Sequence, residues 1–155
     1  PLSLVLIKPE LDQWKPGEHT GTFRGKNLAF VASTELLSYW ENDNLSEAVF
    51  FKEKIIKEEL LRMKEKYKDL NIEVRGRGMI YGMEIPETGF CSDLLSEAFD
   101  LGLVIELAGA EDNILKLLPP LTIEETVLRK GLAIIDEAIG NLVEKKEAML
   151  RGETL

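Results

Sequence analysis

The chain has 155 residues, enough for one or two compact units with a core of their own and no need of disulfides or metal. Hydrophobic residues make up 45% and charged residues 30%, a globular balance, and no apolar run reaches the roughly 20 residues of a membrane span. The net charge of -9 opposes general binding to nucleic acid or to an anionic membrane, and the single cysteine (Cys91) and single histidine (His19) exclude a disulfide framework or a zinc site built from several Cys and His.

Residues 2 to 7 (Leu-Ser-Leu-Val-Leu-Ile) form a short apolar run closed by Lys8-Pro9, which predicts a buried strand. Residues 1 to 7 themselves do not read as a secretory signal. A chain that opens in mid-strand is expected to have a neighbouring strand and helix upstream. From 9 to 26 the glycines and prolines predict a loop, and Leu28 to about Trp40 a helix.

Asn44, followed by Glu47, predicts a capping box that starts a helix running to about Leu70. Val49, Ile56, Leu60, Met63 and Tyr67 would form its core face, with Lys and Glu on a wet one. Residues 72 to 85 change period and read as a strand pair or one bent strand. Ser92 to Leu101 is a short helix closed by Gly102. Strands follow at 103–107 and 114–118, around the polar turn 109–113. Thr122-Ile123-Glu124-Glu125 predicts a second capping box and a last helix to about Glu147. The fold class is α/β, mixed α+β over this length, with no internal repeat.

The loop His19-Thr20-Gly21-Thr22-Phe23-Arg24-Gly25-Lys26-Asn27 sets hydroxyls, glycines and two cations just before a helix amino terminus. Two readings are open: an ordinary helix-capping loop, or an anion site that uses free N–H groups and the helix dipole. Lys116 shares a strand face with Ile114 and Leu118, and a cation there needs a partner: Glu84, Glu106 or a substrate carboxylate. The Arg75-Gly76-Arg77-Gly78 string lacks the spacing of a P-loop or a dinucleotide fingerprint and reads as a structural bend. Cys91 reads as a helix-start residue, and His19 as a loop hydrogen-bonding group or a contact near a ligand.

Four strings, Leu6–Asp12, Pro16–Gly25, Val74–Met79 and Leu115–Ile123, stand in the order seen in class III aminotransferases, and the chain resembles the carboxy-terminal part of that family over nearly its whole length. The details are most similar to the branch that acts on diaminobutyrate and 2-oxoglutarate in ectoine synthesis. The resemblance implies a fold type I enzyme, with residues 1–45 ending the large pyridoxal-phosphate-binding domain and 46–155 forming the small carboxy-terminal domain. It implies pyridoxal 5'-phosphate as cofactor, a cytoplasmic homodimer, and transfer of the terminal amino group of L-2,4-diaminobutyrate to 2-oxoglutarate. Thr22, with Gly21, would bind the cofactor phosphate of the neighbouring subunit.

Lys116, where relatives often carry arginine, and Arg24 would hold substrate. The Schiff-base lysine would lie upstream of Pro1, so these residues alone are expected to be inactive; no catalytic or metal-binding residue is assigned among them. The alternatives are a non-catalytic dimerisation or regulatory module, or an aminotransferase of another omega-amino acid such as ornithine or 4-aminobutyrate.

Overall fold

The computed structural model describes residues 2–22 and 24–152. The chain divides into two compact units, Pro1–Ser46 and Glu47–Leu155.

In the first unit the expected strand at 2–7 is not formed: these residues have no regular structure, and Leu6 is 96% exposed. An isolated extended run leaves both rows of its peptide groups unpaired, and among the described residues of this unit no strand is there to pair with it. Pro9–Leu11 is a single 3-10 turn, and the loop after it runs to Lys26 as its glycines and prolines dictate. Helix α1, Asn27–Leu37, continues into a 3-10 turn at Ser38–Trp40 and buries none of its residues. The predicted Asn44 cap is replaced by another device. Asn44 is already helical, and its N–H donates to Asn42 Oδ1 at 3.0 Å, so the short side chain two residues earlier turns the chain.

The second unit carries the core. Helix α2, Asn44–Lys66, points Ile55, Ile56, Leu60 and Met63 inward, followed by a 3-10 turn at Lys68–Leu70. Strands β1 (Glu73–Arg77) and β2 (Ile80–Glu84) form an antiparallel hairpin. Its two-residue loop starts with Gly78 at φ +60°, the left-handed position that a tight hairpin turn reserves for glycine. Helix α3 (Phe90–Asp100), β3 (Glu106–Ala108), β4 (Ile114–Leu117) and α4 (Glu125–Leu150) follow, and the four strands lie in the order β1-β2-β4-β3, all pairs antiparallel.

One face of this sheet, with Tyr81, Met83, Leu115 and Leu117, packs with α2, α3 and α4 into a single hydrophobic core. The other face holds no buried residue: Arg75, Gly82, Lys116 and Glu106 lie in register across all four strands, beside Glu84, Ile114 and Ala108. Helix α3 ends as the sequence predicts. Gly102 (φ +91°) and Leu103 donate their N–H groups to Phe99 O and Ala98 O, a Schellman closure. The second predicted capping box is absent. The N-cap of α4 is Glu124, without a side-chain bond, because a turn closed by Ile123 N–H and Pro120 O holds Thr122 two residues too early.

Candidate functional site

The loop singled out in the sequence is built from short local contacts. Lys15 and Glu18 close one turn, with Lys15 N–H donating to Glu18 Oε2 at 2.7 Å, and the His19 ring stacks on Trp14 with centroids 5.1 Å apart. His19, expected as a loop hydrogen-bonding group, is held by this aromatic stack. Arg24 folds back: its guanidinium donates to His19 O, and its N–H donates to Gly21 O at 3.1 Å. Gly21, Thr22 and Arg24 thus share one exposed turn that leads into α1.

Thr22 is exposed, and its hydroxyl has no hydrogen-bond partner among the described residues. A Cβ added to Gly21 would meet nothing nearer than the flexible Arg24 side chain at 3.5 Å, so the backbone there is open to an approaching group. The N-cap of α1, Lys26, makes no side-chain bond, and this helix start is uncapped. A free hydroxyl, exposed backbone and an uncapped helix start form a donor set that fits phosphate oxygens.

Lys116 belongs to the second unit and sits on the sheet face away from the core. The strand period places it with Ile114 as expected, whereas Leu118 lies beyond the end of β4 and is exposed; that face is partly open, and the buried neighbours are Leu115 and Leu117. Of the partners left open by the sequence, the structure selects Glu106: Lys116 Nζ lies 2.5 Å from Glu106 Oε2 across the β3–β4 pair, and this bond holds the Glu106 carboxyl below its ordinary range. Glu84 is taken instead by Arg75 at 2.5 Å, with Asn113 donating to its second oxygen at 3.3 Å. Lys116 and Glu106 also stand at the rim of a groove of about 490 Å³ whose walls include Ile105, Leu117, Leu128 and Ile135.

Other conspicuous groups are structural. Asp136 on α4 receives Arg62 (3.0 Å), Lys66 (2.9 Å) and the Tyr67 hydroxyl (2.8 Å) from α2 and the turn after it. Cys91 is buried at the start of α3, where burial pushes its thiol pKa up and away from nucleophilic use. Arg75, Gly76 and Arg77 prove to be strand residues rather than a bend, and Arg75's place level with Lys116, with Gly82 between them, follows from a register that the sequence alone does not state. Among the described residues no group of three or more His, Cys, Asp or Glu is placed to hold a metal, and no helix is long and apolar enough to cross a membrane.

The aminotransferase class-III family model matches residues 1–139. A diaminobutyrate–2-oxoglutarate transaminase of Wolinella succinogenes is 55% identical over 150 residues, covering 97% of this chain and 35% of that protein. Its counterpart in Halalkalibacterium halodurans is 46% identical over 151 residues, again covering 97% of this chain and 35% of that protein. Among solved structures, the acetylornithine aminotransferase of Elizabethkingia anophelis aligns with a TM-score of 0.70 at 30% identity over 84% of this chain and 34% of that one. The chain therefore spans about a third of the length of the curated relatives it matches. With a family match over most of its residues and the same fold in its structural neighbours, the chain belongs to the class III aminotransferases.

Proposed function

We propose that this chain serves a pyridoxal-phosphate-dependent transaminase that moves the terminal amino group of L-2,4-diaminobutyrate to 2-oxoglutarate, giving aspartate semialdehyde and glutamate. The observation that carries this reading is the 55% identity, over 97% of the chain, to a transaminase named for that substrate pair. In biosynthesis the reaction runs toward diaminobutyrate, and the pathway we assign is that of ectoine. The assembly is a cytoplasmic homodimer in which the Thr22 turn reaches the cofactor of the neighbouring subunit. Residues 1–45 belong to the large domain of that enzyme and 46–155 to its small one.

The cofactor supplies the electron sink for the exchange. This chain's part is binding and orientation. The Thr22 hydroxyl, with the open backbone at Gly21, donates to the cofactor phosphate, whose charge strengthens such bonds. Lys116 holds a substrate carboxylate as a point charge, displacing Glu106, and Arg24 adds positive charge beside the phosphate and substrate.

The test uses a protein of the relatives' full length that carries this chain. Glutamate should form from diaminobutyrate and 2-oxoglutarate faster than from ornithine or 4-aminobutyrate as amino donor; a preference for ornithine would move the assignment to the neighbouring substrate class. Thr22→Val should weaken cofactor binding about 10- to 100-fold, the range expected for a lost hydrogen bond to a charged group. An unchanged cofactor Kd in an absorbance titration would remove Thr22 from the phosphate site.

A further inference from the structure

Residues 14 to 24 hold their shape without a core: every described residue among them is exposed, so local contacts set the conformation of the loop that carries Thr22. Two turns stand in succession. The first, Lys15-Pro16-Gly17-Glu18, is closed by Glu18 N–H on Lys15 O at 3.0 Å and braced by Lys15 N–H on Glu18 Oε2. Pro16 in its second place and Gly17, at φ +88°, in its third suit a type II turn. The reversal brings the flanking residues, Trp14 and His19, together, and their rings stack at 5.1 Å with 28° between the planes. The second turn runs from Gly21 to Arg24, with Thr22 in its second place.

One side chain joins the two turns. The Arg24 guanidinium donates to His19 O, while the Arg24 N–H closes the second turn on Gly21 O. His19 is therefore the fixed end of the bridge, and its own place is set by the first turn and by the Trp14 ring. An exposed hydrogen bond such as the one from Arg24 competes with water and orders little by itself. A stacked aromatic pair adds a contact that water does not replace. Trp14 is 60% exposed, and the stack on His19 is the one aromatic contact it makes among the described residues.

We propose that Trp14 and His19 are positioning residues for the Thr22 hydroxyl, acting through Arg24. The proposal rests on the reading of Thr22 as a ligand of the cofactor phosphate. A hydroxyl on a chain free to sample many conformations meets the phosphate only in those molecules that have the turn formed, and the apparent affinity falls by that fraction. The Trp14–His19 stack raises the fraction before the cofactor arrives. Neither ring touches the cofactor in this role; the effect of both passes through the Gly21–Arg24 turn. The same bridge fixes where the Arg24 charge stands, within the turn that carries Thr22.

The deciding measurement is an absorbance titration of the full-length protein freed of cofactor, with pyridoxal 5'-phosphate and, as the probe without a phosphate, pyridoxal. His19→Ala and Trp14→Ala should each raise the pyridoxal-phosphate Kd about 3- to 10-fold, the range a stacked pair contributes, and leave the pyridoxal Kd within about twofold. His19→Phe, which keeps a ring for Trp14 to stack on, should recover most of the loss. In a Thr22→Val background His19→Ala should add less than about twofold, because its effect passes through the missing hydroxyl. Equal weakening of both probes, no weakening of either, or full additivity with Thr22→Val overturns the proposal. Thermal unfolding checks that each variant is folded; if one alanine variant is not, the other and its double with Thr22→Val decide. An unaffected His19→Ala beside a weakened Thr22→Val overturns this proposal alone, whereas an unaffected Thr22→Val removes the phosphate reading of Thr22 and this proposal with it.

Discussion

At the residue scale, Asp136 shows how a single carboxylate can join two helices. Burial alone would raise its pKa, but the bonds from Lys66, Tyr67 and Arg62 prevail and hold it below the ordinary 3.8. A carboxyl with a depressed folded-state pKa contributes stability that is present above its unfolded value and lost as pH falls through the folded one. The contribution is therefore constant near neutrality and disappears in the acid range below about pH 4. Asp136→Asn should flatten that acid limb in urea denaturation, and Asp136→Ala should cost about 1–2 kcal/mol at pH 7 because Tyr67 and two cations lose their acceptor. An acid limb of unchanged steepness in Asp136→Asn would show that another carboxyl governs it. None of this was legible in the sequence, where Asp136 is one charge among several on an amphipathic helix. Lys116 was legible in part: the strand period gave its face and a carboxylate partner, but the choice of Glu106 over Glu84 depends on strand order.

At the element scale, long helices with a steady apolar period announce themselves. The core face of α2 is the one its period predicts, with Ile55 added because the stripe is wider than a single row. Both capping boxes failed for one reason. The Asn44–Glu47 and Thr122–Glu125 strings match a pattern four residues long, whereas helix starts are set by the preceding turn, here Asn42 and the Pro120–Ile123 bond. The run at 2–7 failed because its apolar pattern is satisfied only when other strands supply hydrogen bonds. Gly102 succeeded because its requirement is intrinsic to the backbone. At φ +91°, with nothing within 4 Å of an added Cβ, the site objects to alanine by conformation alone. Gly102→Ala should thus destabilise the protein by about 1 kcal/mol, and Gly102→Asn by less, since asparagine tolerates the left-handed region better. Equal losses for the two variants in denaturant titrations would mean that packing, not backbone conformation, fixes that glycine.

At the scale of the whole molecule, the two units differ in what they bury. Unit two closes a core of its own, whereas α1 leaves Leu28, Val31, Leu36 and Leu37 exposed, together with Tyr39 and Trp40 just beyond it. A helix of 11 residues that buries nothing has little reason to persist in water by itself. Apolar surface of this kind marks a contact with another surface. Under the proposed homodimer, that surface would be the partner subunit, and the Thr22 turn, five residues ahead of α1, would be carried to the partner's cofactor by the same contact. Dimerisation and cofactor retention should then fail together. In the full-length protein, Leu28→Glu combined with Val31→Glu should shift sedimentation from dimer toward monomer and raise the cofactor Kd, while Glu35→Gln on the same helix leaves both unchanged. A double variant that stays dimeric and keeps its cofactor would place α1 outside the subunit contact. One that becomes monomeric yet binds cofactor as before would break the link between that contact and Thr22.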